Sequence, residues 1–112
     1  ELAGAYKPDN HVLDGVSLLP LLKGQTAFEN RPVFWHMPVY NVFGTKPCSI
    51  VRQGNYKLIQ WFEDERFELF DLSTDIGEKR NLMDSELETA AHMQRLLAAW
   101  QSKTAAPLPR PR

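Results

Sequence analysis

Two strand-like segments whose apolar side chains alternate onto both faces constrain the fold most. Along residues 56–62, one face carries Tyr56, Leu58 and Phe62, and the other carries Ile59 and Trp61. Residues 67–72 alternate in the same way. One helix covers only one face of such a sheet, so Trp and Phe side chains on the other face would meet water. The sequence therefore predicts a sheet that needs a second partner surface.

A C-terminal helix is predicted to cover the first face. Ser85 and Glu88 have the spacing of a capping box at the start of a helix that runs to about Lys103. Apolar residues recur at helical spacing at Leu87, Ala90, Ala91, Met93, Leu97 and Trp100. Residues 33–35 and 49–52 add short strands, and Gln53-Gly54-Asn55 is typical of a tight hairpin turn. The fold class is therefore predicted to be α+β, a small antiparallel sheet of three to four strands packed by a C-terminal helix.

Composition divides the chain into three segments. Residues 1–30 are predicted to be a linker with a short helix over 18–23, capped by Ser17 and ended by Gly24, whose leucines we expect to lie in a core. Residues 31–104 carry the sheet and the C-terminal helix. The Pro-rich tail, residues 105–112, is expected to be disordered.

Charge and composition exclude several classes of partner. The net charge is −1, with 13 basic and 14 acidic residues, so we expect neither a nucleic-acid partner nor an anionic membrane surface. No apolar stretch approaches the roughly 20 residues that span a bilayer. Cys48 is the only cysteine, so no internal disulfide can form. The first residues lack both an initiator Met and a signal-peptide pattern, which fits a fragment.

His36 and Tyr40 are the candidate binding residues. They lie in Trp35-His36-Met37-Pro38-Val39-Tyr40, where prolines constrain the backbone and an imidazole and a phenol stand beside aromatic side chains. Such a segment can present donors to an anionic or sugar-like ligand. The alternative is a structural histidine at the end of a strand. The three histidines have no metal-site spacing, so no metal site is predicted in this chain.

Six short motifs occur in order along about 100 of the 112 residues. They are Leu2-Ala3-Gly4, Asp14-Gly15-Val16-Ser17-Leu18-Leu19-Pro20-Leu21-Leu22, Arg31-Pro32-Val33-Phe34-Trp35-His36, Arg52-Gln53-Gly54-Asn55-Tyr56-Lys57-Leu58-Ile59, Glu68-Leu69-Phe70-Asp71-Leu72 and Asp75-Ile76-Gly77-Glu78-Lys79-Arg80-Asn81-Leu82. In this order they resemble the C-terminal end of the type I sulfatases, the family that includes the arylsulfatases and glycosaminoglycan sulfatases.

The resemblance implies a division of labour between two domains. An alkaline-phosphatase-like catalytic domain would precede Glu1 and hydrolyse sulfate esters with a formylglycine made from Cys or Ser and a calcium ion. This chain would be the smaller C-terminal subdomain, inactive alone, which packs on the catalytic domain and contacts a sulfated carbohydrate substrate through His36 and Tyr40. The resemblance also favours a periplasmic or secreted parent enzyme.

Cys48 and Arg52 have the outer spacing of the family's nucleophile motif, Cys-x-Pro-x-Arg. Ile50 stands where the motif has proline, and the segment is strand-like, which would hold the two side chains roughly 13 Å apart on one face. We therefore predict no catalytic residue in this chain.

Two other functions stay open on sequence grounds. The exposed aromatic side chains would also suit a self-contained carbohydrate-binding module, which would bind sugar without a catalytic domain. A homodimer that pairs the apolar sheet faces in a purely structural role would satisfy the same demand for a partner.

Overall fold

The computed structural model describes residues 4–6, 8–11, 13, 15–25, 30–40, 44 and 46–109. The elements in chain order are α1 (Leu19–Leu22), β1 (Val33–Met37), β2 (Cys48–Gln53), β3 (Tyr56–Trp61), β4 (Phe67–Asp71) and α2 (Leu87–Thr104). The strands form one sheet in the order β1-β2-β3-β4, and every neighbouring pair is antiparallel. The predicted fold class is confirmed.

The predicted hairpin turn joins β2 and β3. Gln53 pairs with Tyr56, which leaves Gly54 and Asn55 as a two-residue loop. Gly54 has a φ of +56°, a left-handed conformation that glycine adopts without the steric cost of a Cβ atom. This turn sets the register of the two central strands.

Helix α2 packs on one face of the sheet and forms the main core. Its members are each no more than 3% exposed: Val51, Leu58, Leu69, Ala90, Met93 and Leu97. Since residues 51, 58 and 69 come from three adjacent strands, the buried stripe of α2 lies across the middle of the sheet.

The start of α2 differs from the prediction. The N-cap residue is Glu86, and no side chain caps the helix. The hydroxyl of Ser85 lies 3.4 Å from the Leu82 carbonyl, in the turn before the helix, so the predicted capping box is wrong. Leu87, the first residue of the helix, is 69% exposed and does not join the core.

The second face of the sheet is apolar, as predicted, but it is unevenly exposed. Cys48, Ile59 and Phe70 form a second cluster and are 4 to 6% exposed. Trp35, on the edge strand β1, is 50% exposed, since a strand lies on only one side of it. The expected apolar patch is therefore concentrated along β1.

The segment after β4 folds back against the outer edge of that strand. The Asn81 side-chain carbonyl accepts a hydrogen bond from the Leu69 amide at 3.0 Å, and the Leu82 amide donates to the Leu69 carbonyl at 2.8 Å. Asp75 accepts the amides of Lys79 and Arg80 at 2.8 Å each, which fixes the preceding turn. The segment thereby satisfies backbone groups that an open sheet edge would leave unpaired.

Helix α1 forms as a short turn, but its leucines do not enter a core. The helix covers Leu19–Leu22 rather than residues 18–23, and its N-cap is Leu18 with no side-chain cap, so the predicted cap at Ser17 is wrong; the Ser17 hydroxyl accepts the Leu19 amide at 3.2 Å, and Gly24 has a φ of +74° after the helix end. Leu18 and Leu22 are 63% and 70% exposed. The expectation that these leucines lie in a core is wrong for the residues that the structure describes.

Candidate functional site

His36 lies within β1, on the face that α2 covers, rather than after the strand as the sequence suggested. Its ring is half-buried and makes edge contacts with Phe62 and Trp100, at centroid distances of 5.9 and 6.1 Å. Trp100 in turn stacks on Phe34 at 4.9 Å. Strand alternation therefore fixes the imidazole among aromatic rings at one end of the sheet.

Both ring nitrogens of His36 have hydrogen-bond partners. Nε2 lies 2.8 Å from the carbonyl oxygen of Pro107, and because a carbonyl can only accept, Nε2 carries the proton. In the neutral ring Nδ1 then accepts from the hydroxyl of Ser49 at 2.6 Å. The Gln101 amide donates to Ser49 Oγ at 3.0 Å and to Gln60 Oε1 at 2.8 Å. We call this connected set the His36 relay.

The relay is sealed from water at its centre. Ser49 is completely buried, and among the described residues no buried side-chain nitrogen or oxygen lacks a partner. A buried hydroxyl that lost its acceptor would cost about 1–3 kcal/mol. The relay therefore holds the imidazole in one orientation and one tautomer.

The chain after α2 turns back to reach His36. Ala105 adopts a left-handed conformation with a φ of +49°, and the Ala106 amide donates to the Gln101 carbonyl at 3.0 Å. We call residues 105–109 the strap. In the structure residues 105–109 lie against the end of the sheet, and residues 110–112 of the predicted disordered tail lie outside the described part of the chain.

A groove of about 510 Å³ lies beside the strap. Its walls come from the ends of β3 and β4, the loop between them and the strap itself: Gln60, Trp61, Phe62, Glu65, Phe67, Leu108 and Pro109. Aromatic side chains next to a few polar groups are a common lining for small-molecule sites.

Tyr40 belongs to a second cluster near the same end of the sheet. Its hydroxyl donates to Glu63 Oε1 at 3.1 Å, and Lys46 makes an ion pair with the same carboxylate. The Lys46 ammonium, and after it the Tyr40 hydroxyl, hold the pKa of the Glu63 carboxyl below its ordinary value. The carboxylate likewise raises the pKa of Lys46. Tyr40 itself is 47% exposed.

The two predicted site residues lie in the same region, because each of them contacts one of two consecutive residues. His36 contacts Phe62, and Tyr40 contacts Glu63, the next residue. The difference between them is access: His36 has both nitrogens engaged, whereas much of the Tyr40 ring faces solvent. Residues 41–43 and 45 of the connecting loop are outside the described part of the structure.

Ser49 and Gln101 were not predicted from the sequence. Both are polar residues at positions that face the core: Ser49 is two residues before buried Val51 on its strand, and Gln101 is one helical turn after buried Leu97. A polar residue at a position that faces the core was the signal available in the sequence for these two hydrogen bonds, because buried polar groups require hydrogen-bond partners.

Neither a metal site nor an activated nucleophile is found among the described residues. They contain no group of three His, Cys, Asp or Glu side chains that could hold a metal ion; the calcium ion that the resemblance implies is expected outside this chain. Cys48 is 4% exposed, and burial raises the pKa of its thiol, the opposite of what a thiolate nucleophile needs. No helix in the described ranges is long and apolar enough to cross a membrane.

Comparison with known proteins gives a consistent set of relatives. The model of the family "N-sulphoglucosamine sulphohydrolase, C-terminal" matches residues 1–103. A sulfatase of Formosa agariphila is 36% identical over 121 aligned positions, covering 96% of this chain and 22% of the relative. A Delta 4,5-hexuronate-2-O-sulfatase of Bacteroides thetaiotaomicron is 34% identical over 85 positions, covering 73% of this chain and 17% of the relative.

A solved structure shows the same fold. The structure of a 2-O glycosaminoglycan sulfatase superposes with a TM-score of 0.69 at 27% identity, covering 94% of this chain and 23% of that one. The chain therefore spans about a fifth of the length of the proteins it matches.

Proposed function

Because the chain belongs to the N-sulphoglucosamine sulphohydrolase C-terminal family, we propose that it is the C-terminal subdomain of a sulfatase that hydrolyses sulfate esters of a sulfated carbohydrate. The observation that carries the proposal is the family match over residues 1–103, combined with relatives about five times longer. A preceding domain would supply the part of the length that this chain does not cover.

Catalysis is assigned to that preceding domain. The described residues offer no set of metal ligands, and the thiol of Cys48 is buried. In the proposed enzyme a formylglycine would supply the nucleophile and a calcium ion would neutralise the charge of the sulfate, both outside this chain. Alone, the 112-residue chain should then be inactive.

The chain's own contribution would be to shape the substrate site. The exposed ring of Tyr40 can lie against the apolar face of a sugar, and its hydroxyl and the Lys46 ammonium can reach an anionic substituent. His36 holds an N–H donor in fixed orientation at the same end of the sheet. This set of one aromatic ring and several donors matches what a sulfated sugar requires.

Docking on the preceding domain would cover the remaining apolar surface. Trp35 on β1 is 50% exposed, Leu18 at the N-cap of α1 is 63% exposed, and Leu22 at the end of α1 is 70% exposed. Exposed apolar groups of this size are a cost in water that a large interface removes. The names of two relatives, both 2-O-sulfatases of uronate or glycosaminoglycan substrates, make a 2-O-sulfated uronate the first substrate to test.

The reading frame upstream of residue 1 tests the proposal. We expect a Cys-x-Pro-x-Arg or Ser-x-Pro-x-Arg motif several hundred residues before this segment, which is the distance that the lengths of the relatives imply. A native frame without that motif would remove the enzymatic role and leave a binding or assembly role.

A further inference from the structure

We propose that the strap is an exchangeable cover on His36, in which the carbonyl of Pro107 holds the place that an oxygen of a sulfated sugar takes when the strap moves away. The class of ligand, a sulfated sugar, rests on the proposed function. The contacts that support the exchange lie within the described part of the chain.

The imidazole of His36 is oriented so that its Nε2–H group donates towards the strap. The Pro107 carbonyl selects the tautomer with the proton on Nε2, in which Nδ1 accepts from the Ser49 hydroxyl, and Ser49 Oγ also accepts from the Gln101 amide. With Nδ1 occupied as an acceptor, the proton stays on Nε2, which faces the Pro107 carbonyl at 2.8 Å. Removing Pro107 would leave this N–H aimed at the same point with no protein acceptor there.

The strap can leave without unravelling the helix that precedes it. The end of α2 is closed by Ala105 and Ala106, whose amides donate to the carbonyls of Ser102 and Gln101. Beyond Ala106, the hydrogen bond that joins the described strap to the sheet is that of Pro107 with His36. Leu108 is 69% exposed, so its burial holds the strap only weakly.

The space beside the strap suits a sugar ring. With the strap in place, the groove has a volume of about 510 Å³, within the range of roughly 300–1,000 Å³ that small-molecule sites occupy. Because Leu108 and Pro109 form part of its wall, the groove would open towards His36 when the strap leaves. Phe62 and Trp61 offer apolar walls, and Gln60 and Glu65 offer acceptors for hydroxyl groups. Phe62 also contacts the His36 ring, so the groove and the Nε2–H donor adjoin each other.

Two truncations of the chain separate the strap from the rest of the tail. Ending the chain after Ala106 removes Pro107 and the residues beyond it, whereas ending it after Pro109 keeps the contact with His36 and serves as the matched control. Each is compared with the full chain by long-range proton–nitrogen NMR of the histidine side chains during titration with glucose 6-sulfate. Unsulfated glucose and sodium sulfate are titrated in parallel to separate the sugar from the anion.

The chain that ends after Ala106 is expected to bind glucose 6-sulfate roughly three to ten times more tightly than the full chain, the factor that one net hydrogen bond is worth. The shift should appear at Nε2 of His36, and glucose and sulfate alone should bind more weakly. The control that ends after Pro109 should match the full chain.

Equal binding by the three chains, or binding that does not perturb His36, overturns the proposal. If the shortest chain fails to fold, Pro107→Gly in the full-length chain loosens the strap, because glycine loses more backbone freedom on ordering, and is expected to tighten binding in the same direction; no change there also overturns it. Sulfate release by the longer enzyme is measured separately, so loss of the proposed function and loss of the strap mechanism give different results.

Discussion

Replacing Leu97 by alanine tests the packing of α2 on the sheet, on which the whole site depends. Leu97 is 1% exposed, and its neighbours in the core come from both the helix and the sheet. Burial of a leucine side chain contributes about 1.5–3 kcal/mol, and the cavity left by truncation adds to the loss. Because the helix and the sheet on either side of Leu97 are rigid, the cavity cannot close fully. We therefore expect L97A to lower the free energy of unfolding by about 3 kcal/mol.

Urea unfolding followed by tryptophan fluorescence measures this loss, since Trp100 stacks on Phe34 only when α2 is docked. The midpoint should fall while the slope with denaturant stays unchanged. Leu87→Ala is the matched control: it makes the same substitution on the same helix, but at a position that is 69% exposed. It should change stability by less than about 0.5 kcal/mol. Equal losses from the two variants would contradict the described packing of α2.

Two further substitutions test the ion pair between Lys46 and Glu63 and the hairpin turn at Gly54. Lys46→Met should raise the pKa of Glu63 towards its ordinary value. Because the pKa of Glu63 is lowered in the folded state, the contact stabilises the fold at pH values above the ordinary carboxyl pKa. That stabilisation is lost as the pH falls through the lowered pKa. Carboxyl NMR titration checks this, and an unchanged Glu63 titration would count against the ion pair. Gly54→Ala should cost about 1 kcal/mol, since its φ is +56° and an added Cβ meets only an ordinary contact at 3.5 Å. Thermal unfolding measures that cost, and an unchanged stability would mean that the turn adopts another conformation.

The parts of the fold that sequence could predict are those set by local periodicity. Alternation along 56–62 assigned Leu58 and Ile59 to opposite faces, and the structure places them in separate clusters. The start of α2 could not be placed in the same way, because Ser85 has two competing uses: it can cap the helix, or it can bond the preceding turn at Leu82, as it does.

The contacts of the candidate site were even harder to predict from local sequence. The sequence drew attention to His36 and Tyr40 because of their neighbours along the chain, but their partners come from other strands, loops and the end of α2. The contact between Ser49 and Gln101 spans 52 residues and depends on strand register and on the rotation of α2. The strap was predicted to be part of a disordered tail from its Pro-rich composition, and that composition holds no sign of its hydrogen bond with His36, which is 71 residues away along the chain.

Sulfate release tests the central claim most directly. The protein, extended by its upstream reading frame, and the 112-residue chain alone are each incubated with a 2-O-sulfated unsaturated uronate disaccharide, and free sulfate is quantified by ion chromatography. We expect release by the extended protein and none by the chain alone. Release by the chain alone, or none by the extended protein from this or other sulfated saccharides, would contradict the assignment of this chain as the substrate-shaping subdomain of a sulfatase.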